Sequence, residues 1–363
     1  MRPASVVFAS LIFAGNLAAA DVTRTLKAEL STDASRPFRV ENLAGHMVVR
    51  LGTGPRVVVT ATVHGEDQRT ADLLRLEEVR DSKTGLPTLR MQYPLNAHTA
   101  YRYGREGSGG DGFFERMFSG RSTVTYDGTR VSVSSSRGLA LYADLVVEIP
   151  RGASGTFRNA IGRIEGSSVE GTLKFDSGSG DISLRDFSGD VVADTGSGDV
   201  NAASGRGSFK CDTGSGDCTL KAFNGERIDL DTGSGDINVT DSSARFVSAD
   251  TGSGSILLEV DDIEEVDTDT GSGDVTLDLG GSKLSRINAD TGSGDVSVKL
   301  SRSLGFELMA DVGSGDVSSD FDDATAIVKR RKVTGYRRGD LKVKIDVDTG
   351  SGDVSVGPGR LPS

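Results

Sequence analysis

A six-residue phrase that recurs nine times limits this chain to a repetitive fold. The phrase reads DTGSGD in most copies, and its copies begin at Asp176, Asp194, Asp212, Asp231, Asp250, Asp269, Asp290, Asp311 and Asp348. The first seven steps between copies are 18 to 21 residues long, and the last is 37 residues. A repeat of this length is typical of solenoids, in which each repeat forms one coil. The long last step predicts a coil without the phrase, or an insertion.

The residues on both sides of the phrase alternate between apolar and polar. Around the copy at Asp231, Ile228 and Leu230 precede the phrase, and Ile237 and Val239 follow it. This alternation is typical of half-buried strands, and the Gly, Ser and Asp of the phrase favour a turn. We predict an all-β fold: a β-solenoid, single-stranded and β-helix-like, with coils of 18–21 residues and a less regular N-terminal β region.

The composition is consistent with a thin core and an acidic surface. The 363 residues include 48 glycines and no tryptophan, and aromatic residues make up only 6%. Small side chains suit the narrow space between two strands of one coil. The net charge of −12 argues against nucleic acid as a partner.

The first twenty residues predict a signal peptide. Arg2 precedes a short apolar run, and small residues precede Asp21. No later stretch is long and apolar enough to span a membrane. We therefore expect an exported protein without a transmembrane segment after cleavage, located in the periplasm, at the cell surface or outside the cell.

Beyond the signal peptide, four regions follow from the pattern. They are an N-terminal β region with degenerate coils at 21–93, a non-repeating insertion at 94–138, the solenoid at 139–357 with a basic insertion at about 322–340, and a tail at 358–363. Pro358 cannot donate a ladder hydrogen bond, so it predicts a blocked end of the solenoid.

The repeated GSGDV corners and the segment Tyr142–Ala153 resemble a bacterial family of exported proteins labelled putative adhesin. The resemblance covers about residues 140–357 and, more weakly, residues 38–92. It implies a surface or envelope role and no catalytic residues, and the molecular function of the family is largely unassigned.

Two rows of aspartates are the first candidate site. Stacked carboxylates about 4.8 Å apart repel one another, so either turn amides and hydroxyls or a divalent cation must offset the charge. Calcium is the cation that carboxylate oxygens favour, although plain turn chemistry is the simpler alternative. The candidate calcium ligands are Asp194, Asp199, Asp212, Asp217, Asp231 and Asp236.

Two segments outside the pattern are candidate partner contacts, since Tyr and Arg are favoured at interfaces. The insertion contributes Tyr101, Tyr103, Phe113, Phe114 and Arg116, and the long last step contributes Lys329, Arg330, Arg331 and Lys332. The alternatives are aromatic residues that pack back on the domain and a basic loop that folds onto the Asp rows. Cys211 and Cys218 flank one corner at core positions and could form a disulfide, or remain small buried residues.

The sequence favours a non-catalytic function. More than half of the aspartates of the solenoid belong to repeated corners, and the three histidines show no zinc-ligand spacing. We expect an adhesin-like module that presents a rigid surface to an envelope or surface protein, a glycan or a cell-wall polymer, without a cofactor. The alternatives are a structural protein that assembles end to end, a calcium-stabilised adhesive rod, and a polysaccharide-acting β-helix enzyme.

Overall fold

The computed structural model describes residues 22–103 and 121–359, except residues 32 and 82. The predicted signal peptide lies outside the described residues, as do Phe113, Phe114 and Arg116. The described residues form 31 strands and one four-residue helix, and the chain divides into two compact units, Met1–Ser183 and Leu184–Ser363. The prediction of an all-β solenoid fold is confirmed.

The first unit contains the following elements: β1 (Val22–Glu29), β2 (Phe38–Ala44), β3 (Met47–Leu51), β4 (Val58–Gly65), α1 (Gln68–Ala71), β5 (Arg75–Arg80), β6 (Pro87–Gln92), β7 (Ala100–Arg102), β8 (Arg121–Tyr126), β9 (Thr129–Ser134), β10 (Leu139–Ile149), β11 (Ala153–Ile161), β12 (Ile164–Ser167) and β13 (Glu170–Ser177). The boundary between the units falls within β14 (Ile182–Arg185).

The second unit contains the following strands: β15 (Ser188–Thr195), β16 (Val200–Ala203), β17 (Arg206–Thr213), β18 (Cys218–Lys221), β19 (Asn224–Thr232), β20 (Ile237–Thr251), β21 (Ile256–Asp261), β22 (Glu265–Thr270), β23 (Val275–Leu279), β24 (Arg286–Thr291), β25 (Val296–Leu300), β26 (Phe306–Val312), β27 (Val317–Ser319), β28 (Thr325–Lys329), β29 (Lys332–Arg338), β30 (Val343–Thr349) and β31 (Val354–Pro358).

The first unit mixes parallel and antiparallel pairing, which explains why its repeat is hard to see in the sequence. β10 lies between β3, which is parallel to it, and β4, which is antiparallel. β11 is parallel to both β2 and β13. Part of the non-repeating insertion forms a small second sheet, in which β7 pairs with β9 and β10 and β8 pairs with β9.

The second unit pairs the strands of successive coils in two parallel ladders. One ladder runs β15, β17, β19, β20, β22, β24, β30, β26. The other runs β16, β18, β20, β21, β23, β25, β31, β27. The inner residues of both ladders are buried in one layer, which also holds a stack of Phe187 with Phe209 and Phe223 at centroid distances of 5.4 and 6.3 Å.

The last two coils of the second unit stack in the reverse of their order in the chain. β30 lies between β24 and β26, so the coil of Asp348 lies between the coils of Asp290 and Asp311. Between these coils the chain forms the hairpin β28–β29, and β29 pairs antiparallel with β26. The 37-residue step is therefore an insertion. The Asp rows therefore do not follow chain order at this end.

The inference of a blocked end from Pro358 is also wrong. The strand that contains Pro358 lies between β25 and β27, and Pro358 is in register with Leu300. In the other ladder, β29 pairs with the last strand, β26, and β28 pairs with β29. The outermost strand there is therefore β28, which belongs to the basic insertion. The strands at this ladder end thus belong to the hairpin.

The second corner of five successive coils contains a left-handed residue that is not glycine. Asp186, Ser204, Ala222, Asp241 and Asp262 have φ values between 52° and 57°. Each directly precedes a buried residue of the same coil. Aspartate tolerates this conformation because its short side chain can hydrogen-bond locally, whereas alanine gains no such compensation.

Candidate functional site

The glycine-rich corners stack through a buried column of threonines. The hydroxyl of Thr232 donates to the carbonyl of Gly216 in the preceding coil at 2.8 Å and accepts the amide of Gly235 at 3.1 Å. The same two bonds are made by Thr213, Thr251, Thr270, Thr291 and Thr349. All six side chains are buried. The column satisfies polar backbone groups that the turn would otherwise leave unpaired.

The aspartates at the end of each phrase are held by the backbone of the next coil. The amide of Asp236 donates to Oδ1 of Asp217, and the amide of Asp353 donates to Oδ1 of Asp295, both at 2.8 Å. Ser255 replaces aspartate in one coil, and its hydroxyl accepts the next amide at 3.4 Å. Turn amides therefore offset the charge of this row, which is the alternative to a divalent cation that the sequence left open.

The aspartates at the start of each phrase form a second column on the outer face of one ladder. In the second unit they pair in the order Asp194, Asp212, Asp231, Asp250, Asp269, Asp290, Asp348, Asp311. Partial burial and the charges of Asp269 and Asp348 raise the pKa of Asp290. Burial and its neighbours, Asp269 foremost, likewise raise the pKa of Asp250. Ionisation of these two carboxyls is thus unfavourable in the folded protein.

Replacement of Asp290 by asparagine is expected to raise the melting temperature at neutral pH. Because its folded-state pKa lies above the unfolded-state pKa, the aspartate contributes stability at low pH and loses this contribution as the pH rises through the raised pKa. The gain of Asp290→Asn should therefore vanish below the ordinary carboxyl pKa of 3.8. Thermal melts of both proteins over a pH series measure this. Asp186→Asn, which removes a charge outside the column, is the control and should lack the pH-dependent gain.

A groove of about 660 Å³ follows the carboxylate column at the hairpin end of the second unit. Its acidic lining consists of Asp267, Asp269, Asp290, Asp311, Asp346 and Asp348. Lys329 and Thr334 of the hairpin form part of its wall. The groove therefore combines a dense negative floor with one basic side chain at its margin.

The basic run forms the turn of the hairpin. Lys329 and Lys332 are paired, and Arg330 and Arg331 between them have φ values of 50° and 70°. Lys332 donates through Nζ to the carbonyl of Val312 at 3.0 Å, and Lys329 borders the acidic groove. Lys329 thus lies beside the Asp row, as expected for a basic loop that folds onto the Asp rows. Arg330 and Arg331 are exposed.

The part of the chain that the structure describes contains no cluster of side chains that could coordinate the predicted calcium ion. No group of three or more His, Cys, Asp or Glu side chains there has an arrangement that could hold a metal ion. Asp217 and Asp236 direct an oxygen at the amide of the next coil. Calcium binding stays a prediction, and it requires a rise in melting temperature on calcium titration that a chelator reverses; an unchanged melting temperature would refute it.

The two tyrosines of the insertion that the structure describes lie against the fold. Tyr101 is fully buried, and its hydroxyl donates to the carbonyl of His98 at 3.0 Å. The ring of Tyr103 lies 5.1 Å from that of Tyr142, and burial raises the pKa of its hydroxyl. Tyr101 is a core residue, so its interpretation as a partner contact is wrong, and the packing alternative is correct for it.

Cys211 and Cys218 form a disulfide across one corner, with Cα atoms 6.5 Å apart. Both residues are buried at positions that other coils fill with small apolar side chains. The distance lies within the usual range for a disulfide. The cross-link joins the two strands of one coil directly beneath the corner.

Removal of this disulfide in the double variant Cys211→Ala/Cys218→Ala is expected to lower the free energy of unfolding by about 2–3 kcal/mol, mainly because the unfolded chain gains freedom. Denaturant unfolding measures the change. The wild-type protein in reductant should match the variant, whereas equal stabilities of oxidised and reduced wild type would contradict the prediction.

The first unit contains a polar cluster that the sequence did not reveal. His64 Nε2 lies 3.0 Å from Oδ2 of Asp144, and Oδ1 of Asp144 accepts the amide of His46 at 2.8 Å. The ring of Tyr142 stacks on that of His64 at 4.5 Å. Burial opposes ionisation of Asp144, but these hydrogen bonds and the two imidazoles hold its pKa below the ordinary value. The cluster joins β4, β10 and the corner after β2.

Comparison with known proteins gives a family match in the second unit. Residues 205–357 match the family model described as Toastrack DUF4097. No curated protein matches the chain. No helix among the described residues has the length and apolar character needed to cross a membrane.

Three solved structures are similar to the chain. A putative cell adhesion protein from Clostridium sporogenes is 9% identical, with a TM-score of 0.23 over 93% of this chain and 100% of that one. A putative adhesin from Bacteroides fragilis is 10% identical, with a TM-score of 0.36 over 94% and 100%. A putative lipid binding protein from Parabacteroides distasonis is 12% identical, with a TM-score of 0.38 over 92% and 96%.

Proposed function

We propose that the protein is an exported, non-catalytic surface module that binds its partner through the acidic groove of the second unit. The observation that carries this proposal is the run of exposed carboxylates along one ladder, where partial burial and neighbouring charges raise the pKa of Asp290. A positively charged partner would relieve this repulsion. The class of partner is therefore a surface protein or a cell-wall polymer with basic groups, and not a nucleic acid.

The regular hydrogen bonding beneath the groove supports this function. Six coils fix their corners through the buried Thr column, and the amide-bound Asp row adds to this support, so the outer carboxylates stand on a stable backbone. A preorganised charged surface loses little conformational entropy on binding. Electrostatic complementarity of this kind mainly provides rapid and selective association.

The proposal is tested by binding to isolated cell-envelope material over a salt series. The triple variant Asp269→Asn/Asp290→Asn/Asp348→Asn should bind more weakly than the wild type and depend less on salt. The matched control is Asp186→Asn/Asp241→Asn/Asp262→Asn, which removes the same charge from left-handed positions that asparagine tolerates. The control should bind like the wild type. Equal binding of wild type and groove variant would overturn the proposal.

A further inference from the structure

The hairpin leaves one strand edge of the second unit unpaired. Among the described residues, β28 pairs with β29 only. Four of its five residues are exposed, including Val328 with 58% of its surface accessible. An exposed edge of this kind presents free amides and carbonyls that can accept another strand.

The hairpin turn determines which backbone groups of β28 point outwards. Lys329 and Lys332 close a two-residue turn, so they form a hydrogen-bonded pair. The register shifts between Ile327 and Val328, where β29 contains one extra residue, Thr334. Because the extra residue lies on β29, bonding still alternates along β28, and the amides and carbonyls of Val328 and Ala326 point away from β29. These two residues supply the bonding groups of the free edge.

The sequence of β28 is self-complementary about Ile327. If a second copy of β28 runs antiparallel, with Ile327 opposite Ile327, then Ala326 of each copy lies opposite Val328 of the other. The outward amides and carbonyls of both copies are then matched. In the same register, the basic turn of one copy faces the acidic segment Asp322–Asp323 of the other.

The charges at the two ends of β28 favour this register. Arg330 and Arg331 are exposed, and so are Asp322 and Asp323 at the opposite end of the strand. Asp323 also pairs with Arg338 of its own chain at 2.6 Å. Arg330 and Arg331 occupy left-handed positions for which a two-residue turn usually selects asparagine and glycine. Strong positive charge is therefore placed at the tip despite a conformational cost.

We propose that two copies of this chain associate by antiparallel pairing of their β28 strands about a two-fold axis at Ile327. The contact extends each sheet by one strand and covers Val328. An interface between two short strands is small, so the dimer forms in a concentration-dependent manner. Its two-fold symmetry closes the assembly at two copies through this edge.

Cysteine cross-linking tests the register. In the full chain, Ile327→Cys places two thiols at a non-hydrogen-bonded pair, where the Cα atoms lie about 4.5 Å apart, within disulfide range. The native cysteines are already bonded to each other. Mild oxidation should give a covalent dimer. Thr325→Cys is the control, because its residue faces Lys329 of the partner and should remain largely uncross-linked.

Charge reversal gives a second test that does not depend on a new thiol. Asp322→Lys and Arg331→Glu should each weaken the homodimer by about tenfold in sedimentation equilibrium, because each brings like charges together. An equimolar mixture of the two variants should regain the affinity, since the swapped charges are opposite in the mixed dimer. Monomeric wild type over a wide concentration range, or equal cross-linking at residues 325 and 327, would overturn the proposal.

Discussion

Replacement of Gly235 by alanine is expected to destabilise the second unit by more than about 3 kcal/mol. A Cβ atom at this position would lie within 3.0 Å of the carbonyl oxygen and carbon of Gly216 and of the amide nitrogen of Asp217. All three are backbone atoms of the preceding coil, and they cannot move aside like a flexible side chain. The corner would have to separate from its neighbour, which also breaks the hydrogen bonds of Thr232.

Gly54→Ala is the matched control for this substitution. An added Cβ at Gly54 meets no atom within 4 Å. Its effect on the free energy of unfolding should be within about 0.5 kcal/mol. Denaturant unfolding of both variants measures the difference. A Gly235→Ala protein that unfolds at the same denaturant concentration as Gly54→Ala would contradict the requirement for close backbone approach.

The repeat in the sequence predicts the coil but assigns the wrong reason to its glycines. From the sequence, glycine suggests unusual backbone angles. In the second unit, Gly216 and Gly235 have no left-handed φ, whereas Asp241 at the opposite corner is left-handed although it is not a glycine. The corner glycines are needed because stacked coils approach closely. Such an approach depends on neighbouring coils, so it cannot be read from one copy of the phrase.

The end of the solenoid could not be predicted from the order of the repeats. The sequence places the coil of Asp311 before that of Asp348, and the structure stacks them in reverse. Every coil has the same inward pattern, so β30 fits against β24 as well as β26 would. The hairpin β28–β29 decides between the two arrangements, because its antiparallel pairing with β26 requires that edge to be free.

The candidate site was partly predictable for a similar reason. A strict repeat places the aspartates of successive coils in register, so both Asp rows follow from the spacing alone. The groove depends on where the hairpin places Lys329, and the His64–Asp144 pair depends on strands that are 80 residues apart. Neither contact leaves a local pattern in the chain. The buried state of Tyr101 likewise results from the small second sheet around it.

Replacement of Thr232 by valine is expected to lower the free energy of unfolding by about 2–4 kcal/mol. Valine has nearly the shape of threonine but no hydroxyl, so the buried amide of Gly235 and the carbonyl of Gly216 both lose a partner. Val312 occupies the equivalent position in the coil of Asp311, which shows that the valine shape fits this corner.

Thr232→Ser separates the hydrogen bonds from the packing. Serine keeps the hydroxyl and loses only a methyl group, so its cost should stay near 1 kcal/mol. Both variants are compared by denaturant unfolding, and amide hydrogen exchange at Gly235 reports the corner directly. We expect faster exchange in Thr232→Val than in Thr232→Ser. If the serine variant were the less stable of the two, packing of the methyl group, and not the hydroxyl column, would hold the corners together.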